Sequence, residues 1–269
     1  RVDYAANFEE FLSSVPRGTP FYFWYGAHEP HRPYAPGSGR AAGKQREQAL
    51  PPRFLPDLPD VRDDLLDYAA EIEWFDRHLA RMLELLERRG ELDRTMIIVT
   101  SDNGMPFPRA KANVYEYGIH VPLAIRWGDG APGGRVVHDL ISLVDVAPTV
   151  LEAAGVRPPA DMPPWAGRSF LNVLTNSQSG WVDPSRVEVW AGRERHSSAR
   201  HDNLSYPVRA LRTPDFLYNR NFRPDRWPAG DPVLLRDDGT PAGPHSGDAG
   251  RAAGHPGLSC LRRIRGRRP

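Results

Sequence analysis

From about Asp64 to Arg89, Leu65, Ala69, Ile72, Phe75, Leu79, Met82 and Leu86 recur at steps of three and four residues, so one stripe of a long helix is apolar. Asp63 or Asp64 can cap its start, and Gly90 can close its end. Met96-Ile97-Ile98-Val99 follows almost at once, a short apolar β-branched run of the kind buried on both faces of a parallel sheet. The expected strand is 95–100. Helix and strand so closely joined form an αβ unit, and a chain built on such a unit is expected to fold as an α/β layer sandwich.

The strand runs into Thr100-Ser101-Asp102-Asn103-Gly104, with Lys111 nine positions after Asp102. Asp102 and Asn103 thus fall beyond the strand's carboxyl end, where open α/β sheets place their ligands. A carboxylate beside a carboxamide offers oxygen donors to a hard cation such as calcium or magnesium. The same residues also spell an Asx turn leading into Gly104, and the local pattern accommodates both.

Elsewhere, Phe21–Tyr25 after Pro20 reads as a buried strand, with Gly26-Ala27-His28-Glu29-Pro30-His31 leaving its carboxyl end. Residues 32–59 are rich in Pro, Gly and Arg without periodicity, which predicts a long surface excursion. Val121–Trp127 reads as another strand, and Val136-Val137 as the start of a third. Asp145 can cap a short helix with Pro148 in its first turn and Gly155 past its end, and 165–174 can add one more. Val187–Trp190, Tyr206–Leu211 and Asp215–Tyr218, the last two joined at Thr213-Pro214, read as short antiparallel strands. The expected domains are 1–175 for the α/β part, 176–230 for a smaller α+β subdomain and 231–269 for an irregular, disordered tail.

With 40% hydrophobic and 26% charged residues the chain has an ordinary globular composition. A net charge of +1 gives no reason to expect a nucleic-acid partner. Cys260, the one cysteine, excludes an internal disulfide and a multi-thiolate metal site. No run of about 18 apolar residues is present, so no membrane span is expected.

Three separated blocks resemble the sulfatases of the alkaline-phosphatase superfamily, and within them the heparan N-sulfatase, or sulfamidase-like, branch. The first is 21–34, Phe-Tyr-Phe-Trp-Tyr-Gly-Ala-His-Glu-Pro-His-Arg-Pro-Tyr. The second runs from Tyr68 through Thr100–Pro108 to Lys111, Tyr115, Glu116, Gly118 and Val121-Pro122-Leu123. The third is Leu143–Thr149 with Gly167-Arg168-Ser169, Gly192–His196 and Ser205–Arg209. The resemblance covers roughly residues 1–230. It implies an alkaline-phosphatase-like layered sandwich, here incomplete, with a small C-terminal α+β subdomain. It also implies cleavage of sulfate esters or sulfamates on a sulfated carbohydrate or other sulfated small molecule. The nucleophile would be a formylglycine made from the Cys or Ser of a Cys/Ser-x-Pro-x-Arg motif, with a calcium ion polarising the sulfate.

Carried over by position, Asp102 and Asn103 would be calcium ligands, Lys111 a sulfate-binding cation and His28 a sulfate or leaving-group contact, with His31 behind it. Arg195 and His196 would face the substrate. His120 receives no role, and His201 is expected at the surface. Relatives of this kind are usually periplasmic, secreted or lysosomal. The family's nucleophile, two further acidic metal ligands and a Lys-x-His pair have no counterpart here. Ser205-Tyr206-Pro207-Val208-Arg209 matches the motif literally, yet it follows the Asp102 loop and leads into a strand pattern rather than a helix. The expectation is therefore the C-terminal two thirds of a sulfatase, with weak metal binding and no turnover on its own. The retained alternatives are a phosphodiesterase or phosphonate hydrolase of the same superfamily and a non-catalytic remnant.

Overall fold

The computed structural model describes residues 1–159, 161–195 and 204–226. The expected tail of 231–269 lies outside them. Helix α1 (Tyr4–Ser14) begins where the Asp3 carboxylate accepts the Ala6 N–H at 3.0 Å, a side-chain cap. It buries Ala5, Phe8 and Leu12 against Met82 and Leu86 of the long helix.

Residues 21–25 form no strand, though their burial alternates residue by residue. Phe21, Phe23 and Tyr25 pack on the core of α1 and the long helix, whereas Tyr22 and Trp24 point outward with 73% and 76% of their surface exposed. The fully buried strand expected here is thus a one-faced segment. Side-chain packing fixes it, including Phe8–Phe23 and Tyr25–Phe75 ring pairs with centroids 4.7 Å apart.

The Pro- and Gly-rich stretch is not the loose surface excursion its composition predicts. It forms a short helix α2 (Ser38–Ala41) and a 3-10 turn (Arg46–Gln48), and it buries Tyr34, Ala49 and Leu55. The cause lies in α3 (Pro59–Arg89), whose inner face carries carboxylates. Asp67, buried, accepts the Gly37 and Gly39 N–H groups at 2.9 and 2.8 Å. Asp63 takes a two-bond pairing from Arg46, both bonds 2.6 Å. Local periodicity cannot report such long-range satisfaction of buried charge.

Helix α3 starts before the predicted Asp64, with Pro59 in its first turn. Asp63 and Asp64 are therefore ion-pair partners rather than caps. Its buried residues are Val61, Leu66, Asp67, Glu71, His78, Met82 and Leu86, so the buried face is rotated from the predicted stripe and Ile72 is exposed. Gly90 ends the helix at φ 69°, a left-handed position where a side chain would be strained.

Strand β1 (Ile97–Thr100) pairs antiparallel with β2 (Leu123–Arg126), from Ile97 opposite Arg126 to Thr100 opposite Leu123. This corrects the expected parallel, doubly buried strand. The intervening chain contains only the four-residue helix α4 (Glu116–Ile119) and folds back over the end of β1, so β2 returns alongside it. Val137 makes a single parallel bridge to Gly180 in place of a third strand. A 3-10 turn (Leu143–Asp145) leads into α5 (Val146–Ala153), and α6 (Leu171–Leu174) follows. Phe170, Val173 and Leu174 pack with Met96, Ile125 and Trp127 around β1 and β2.

Asp145 does not cap α5 with its side chain. It is a buried node that accepts the Ser142 and Arg168 N–H groups at 3.1 and 2.8 Å and the buried Arg186 guanidinium at 3.0 Å. The three strands expected toward the end are present, displaced by one to three residues. β3 (Val189–Arg193), β4 (Val208–Arg212) and β5 (Leu217–Asn221) form an antiparallel sheet in that order. At the β4–β5 turn the Thr213 hydroxyl accepts the Phe216 N–H at 3.1 Å.

If Asp67 organises the 32–59 segment, Asp67→Ala leaves the buried Gly39 amide and the Gly37 amide without their acceptor. It should lower the unfolding free energy by about 3 kcal/mol in urea titrations. A change below about 0.5 kcal/mol would show that the segment folds without it.

Candidate functional site

The loop beyond β1 is held by its own backbone. Ser101 Oγ donates to the Asn103 carbonyl at 2.8 Å, and the Gly104 N–H donates to the Gly118 carbonyl at 3.1 Å. Gly104 lies so close to the chain at Tyr117 that a Cβ there would come within 1.8 Å of the Tyr117 carbonyl oxygen, so only glycine fits. The Lys111 N–H donates to the Met105 carbonyl at 3.0 Å, which fastens the lysine to the segment just after Asn103. Arg109 and Ala112 on either side have φ of 65° and 60°, left-handed conformations that persist only where the surroundings impose them. Buried Phe107 and Ala110 are part of those surroundings. Asp102 is exposed, and Asn103 and Lys111 are half-buried.

His28 lies on a second loop, exposed. Its N–H donates to the Tyr4 hydroxyl at 3.0 Å, which donates to Glu29 Oε2 at 2.9 Å. Burial pushes the Tyr4 phenol above its ordinary pKa. The His28 and His31 rings lie 5.3 Å apart.

The two loops meet on Arg32. Its Nε donates to the Pro106 carbonyl at 3.0 Å and its Nη1 to Asp64 Oδ1 at 2.9 Å. Its guanidinium also lies over the Phe107 ring, 4.9 Å from the centroid. One side chain thereby fastens the His28 loop to both α3 and the Asp102–Lys111 loop. Sequence reasoning missed Arg32, since it stands in an aperiodic stretch. The available signal was Asp64, a carboxylate on the inward part of a helix that needed a cation from elsewhere.

Arg195 lies just past β3 and is exposed. Its predicted companion His196, like His201, lies outside the described residues. Ser205, the serine of the literal motif, sits at the entry to β4, and its Oγ is 3.3 Å from Arg226 Nη1. It opens a strand and not a helix, in keeping with its rejection as the nucleophile. Among the described residues no three His, Cys, Asp or Glu side chains are grouped to hold a metal ion. Asp102 and Asn103 are two side-chain ligands with at most three oxygens between them where calcium takes six to eight, so the residues present do not fit a closed calcium site.

A helix feeding a strand, and a polar loop beyond that strand's carboxyl end, define an α/β protein with a candidate ligand loop at the sheet edge. The sulfatase family model matches residues 2–156, and that of the N-sulphoglucosamine sulphohydrolase C-terminal region matches 109–209. This chain belongs to the sulfatase family, and its fold is part of that family's alkaline-phosphatase-like α/β architecture.

An ulvan-active sulfatase of Formosa agariphila is 30% identical over 213 residues, covering 78% of this chain and 33% of the relative. The human N-sulphoglucosamine sulphohydrolase is 27% identical over 240 residues, covering 76% and 45% respectively. A solved structure, BT4656 in complex with its substrate D-glucosamine-2-N,6-O-disulfate, superposes with a TM-score of 0.52 at 28% identity, over 61% of this chain and 32% of that one. The chain thus spans between a third and a half of the length of the relatives it matches.

Replacing Arg32 with alanine should free both loops at once. Amide hydrogen exchange at Phe107 and Lys111 should speed up by at least about tenfold while the amides of β4 stay protected. Unchanged exchange at those two amides would show that Arg32 is not what joins them.

Proposed function

We propose that this protein serves in hydrolysis of sulfate esters or N-sulfate groups on sugars. The observation that carries the reading is Asp102 and Asn103 set beyond the carboxyl end of β1, with Lys111 fastened to the same loop through Met105. In this reading Lys111 neutralises sulfate oxygens, where a positioned ammonium counts for more than in water as charge develops. His28 contacts the sulfate and hands a proton to the departing oxygen or nitrogen. Arg195 and His196 face the sugar. Asp102 and Asn103 are reserved as oxygen donors to a divalent cation. Because they do not complete a shell, no step is routed through the metal.

Sugar sulfates are favoured as substrates because the similar proteins carry ulvan, N-sulphoglucosamine and glucosamine disulfate in their names. The nucleophile is assigned outside residues 1–269, since Ser205–Arg209 alone matches Cys/Ser-x-Pro-x-Arg in this chain and it precedes a strand.

Two outcomes follow. The 269-residue chain by itself should not hydrolyse 4-nitrophenyl sulfate and should bind calcium more weakly than about 1 mM in calorimetry. Turnover by the isolated chain would overturn the assignment of the nucleophile. In the product of the complete reading frame, Asp102→Ala and Lys111→Ala should each lower kcat/KM on a glucosamine sulfate by about 10²–10³-fold. Equal activity in wild type and both variants would remove these residues from the reaction.

A further inference from the structure

The β3–β4–β5 sheet has two unlike faces. One carries Ala191, Ala210 and Asn219 in register, with Ala210 fully buried, and it is tied to α4 through Arg212 Nε donating to Glu116 Oε2 at 2.9 Å. The opposite face is open. Along it Trp190, Leu211 and Tyr218 stand directly opposite one another on adjacent strands, with Trp190 and Tyr218 64% and 63% exposed. With strands about 4.8 Å apart, the two positions are about 10 Å from each other across the sheet.

The next row on the same face is Gly192, Arg209 and Arg220. Two guanidiniums paired directly across a strand ladder repel. Glu194 forms an ion pair with Arg209, while Arg220 makes no ion pair among the described residues and lies over Phe222 at 4.9 Å. Gly192 completes the row without a side chain. A Cβ there would come within 3.1 Å of Arg209 Cδ, so the glycine lets the Arg209 side chain lie across the sheet. The face therefore combines exposed aromatic rings with one guanidinium, that of Arg220, which no carboxylate among the described residues pairs, while Glu194 holds Arg209 and Glu188 accepts the Trp190 Nε1–H at 3.2 Å.

We propose that this outer face is a binding surface for a sulfated polysaccharide chain. Aromatic faces take the C–H side of a sugar ring, and a planar guanidinium matches an oxyanion with two parallel hydrogen bonds. A sulfate placed over Arg209 and Arg220 would offset the repulsion within that row, which supplies the charge complementarity. The choice of a sulfated glycan rests on the proposed function, but the surface is separate from the Asp102 loop and needs no hydrolysis. It would hold a polymer while the reaction takes place elsewhere.

Isothermal titration of the 269-residue chain with a heparin-derived octasaccharide tests it, with the chemically desulfated octasaccharide as comparison. Trp190→Ala and Arg220→Gln should each weaken binding by about tenfold, and so should desulfation, whereas Arg77→Gln on α3 should change it by less than about twofold. Circular dichroism and thermal melting confirm folding, and Arg220→Gln, at an exposed position whose one packing partner is the Phe222 ring at the surface, serves as the second variant should Trp190→Ala disturb the sheet. The proposal is overturned if the wild-type chain does not bind or if Arg77→Gln weakens binding as much as Arg220→Gln. It is also overturned if Trp190→Ala alters only self-association in sedimentation. The titration follows binding alone. Loss of the sulfatase reading through an inert Asp102→Ala would therefore leave this result standing, and loss of this surface would leave Asp102 untouched.

Discussion

The requirement that α3 find donors for the carboxylates on its inner side shapes the first hundred residues. Asp67 and Glu71 are buried and Asp64 is half-buried. A carboxylate removed from water costs several kcal/mol unless it is paired or hydrogen-bonded. Arg32 meets Asp64, the amides of Gly37 and Gly39 meet Asp67, and Arg1 meets Glu71. Each partner comes from far along the chain, so meeting these bonds folds the 32–59 stretch onto the helix and draws the chain start beside it.

The site inherits its geometry from that requirement. Arg32 is drawn to Asp64, and from there it reaches the Pro106 carbonyl and the Phe107 ring. The His28 loop is thereby held against the loop that carries Asp102, Asn103 and Lys111. Gly104 packed under Tyr117 and Lys111 tied to Met105 keep that second loop in shape from within. On the other side of β1 and β2, buried Asp145 plays a corresponding part by gathering Ser142, Arg168 and Arg186. In both halves a buried acid collects distant segments, and the candidate loops lie at the margins of these clusters.

What could be read from the sequence was what depends on near neighbours. The 3.6-residue rhythm located α3, the β-branched run located β1, and Gly90 marked the helix end. That Asp102, Asn103 and Lys111 share one loop was legible because they are near neighbours in sequence, while their roles rest on the proposal. The direction of β1–β2 pairing was not, because an apolar run fits either ladder and the fold-back of the intervening chain decides it. Phe21–Tyr25 was misread because an all-aromatic run hides which side chains turn outward. Arg32 and the rotated face of α3 depended on pairings 28 to 70 residues apart, which no local pattern encodes. Of the pair proposed to face the substrate, Arg195 is exposed beyond β3 and His196 lies outside the described residues.

The central claim is that the loop beyond β1 is one part of a sulfatase centre whose nucleophile is encoded elsewhere. Reading the genomic DNA upstream of the Arg1 codon, in frame, tests this most directly. The account requires a pair of acidic residues near a first strand, followed by a Cys/Ser-x-Pro-x-Arg sequence at the start of a helix. An upstream frame that is open but contains neither, or one closed at once by a stop codon, would contradict it and leave a scaffold without the reaction.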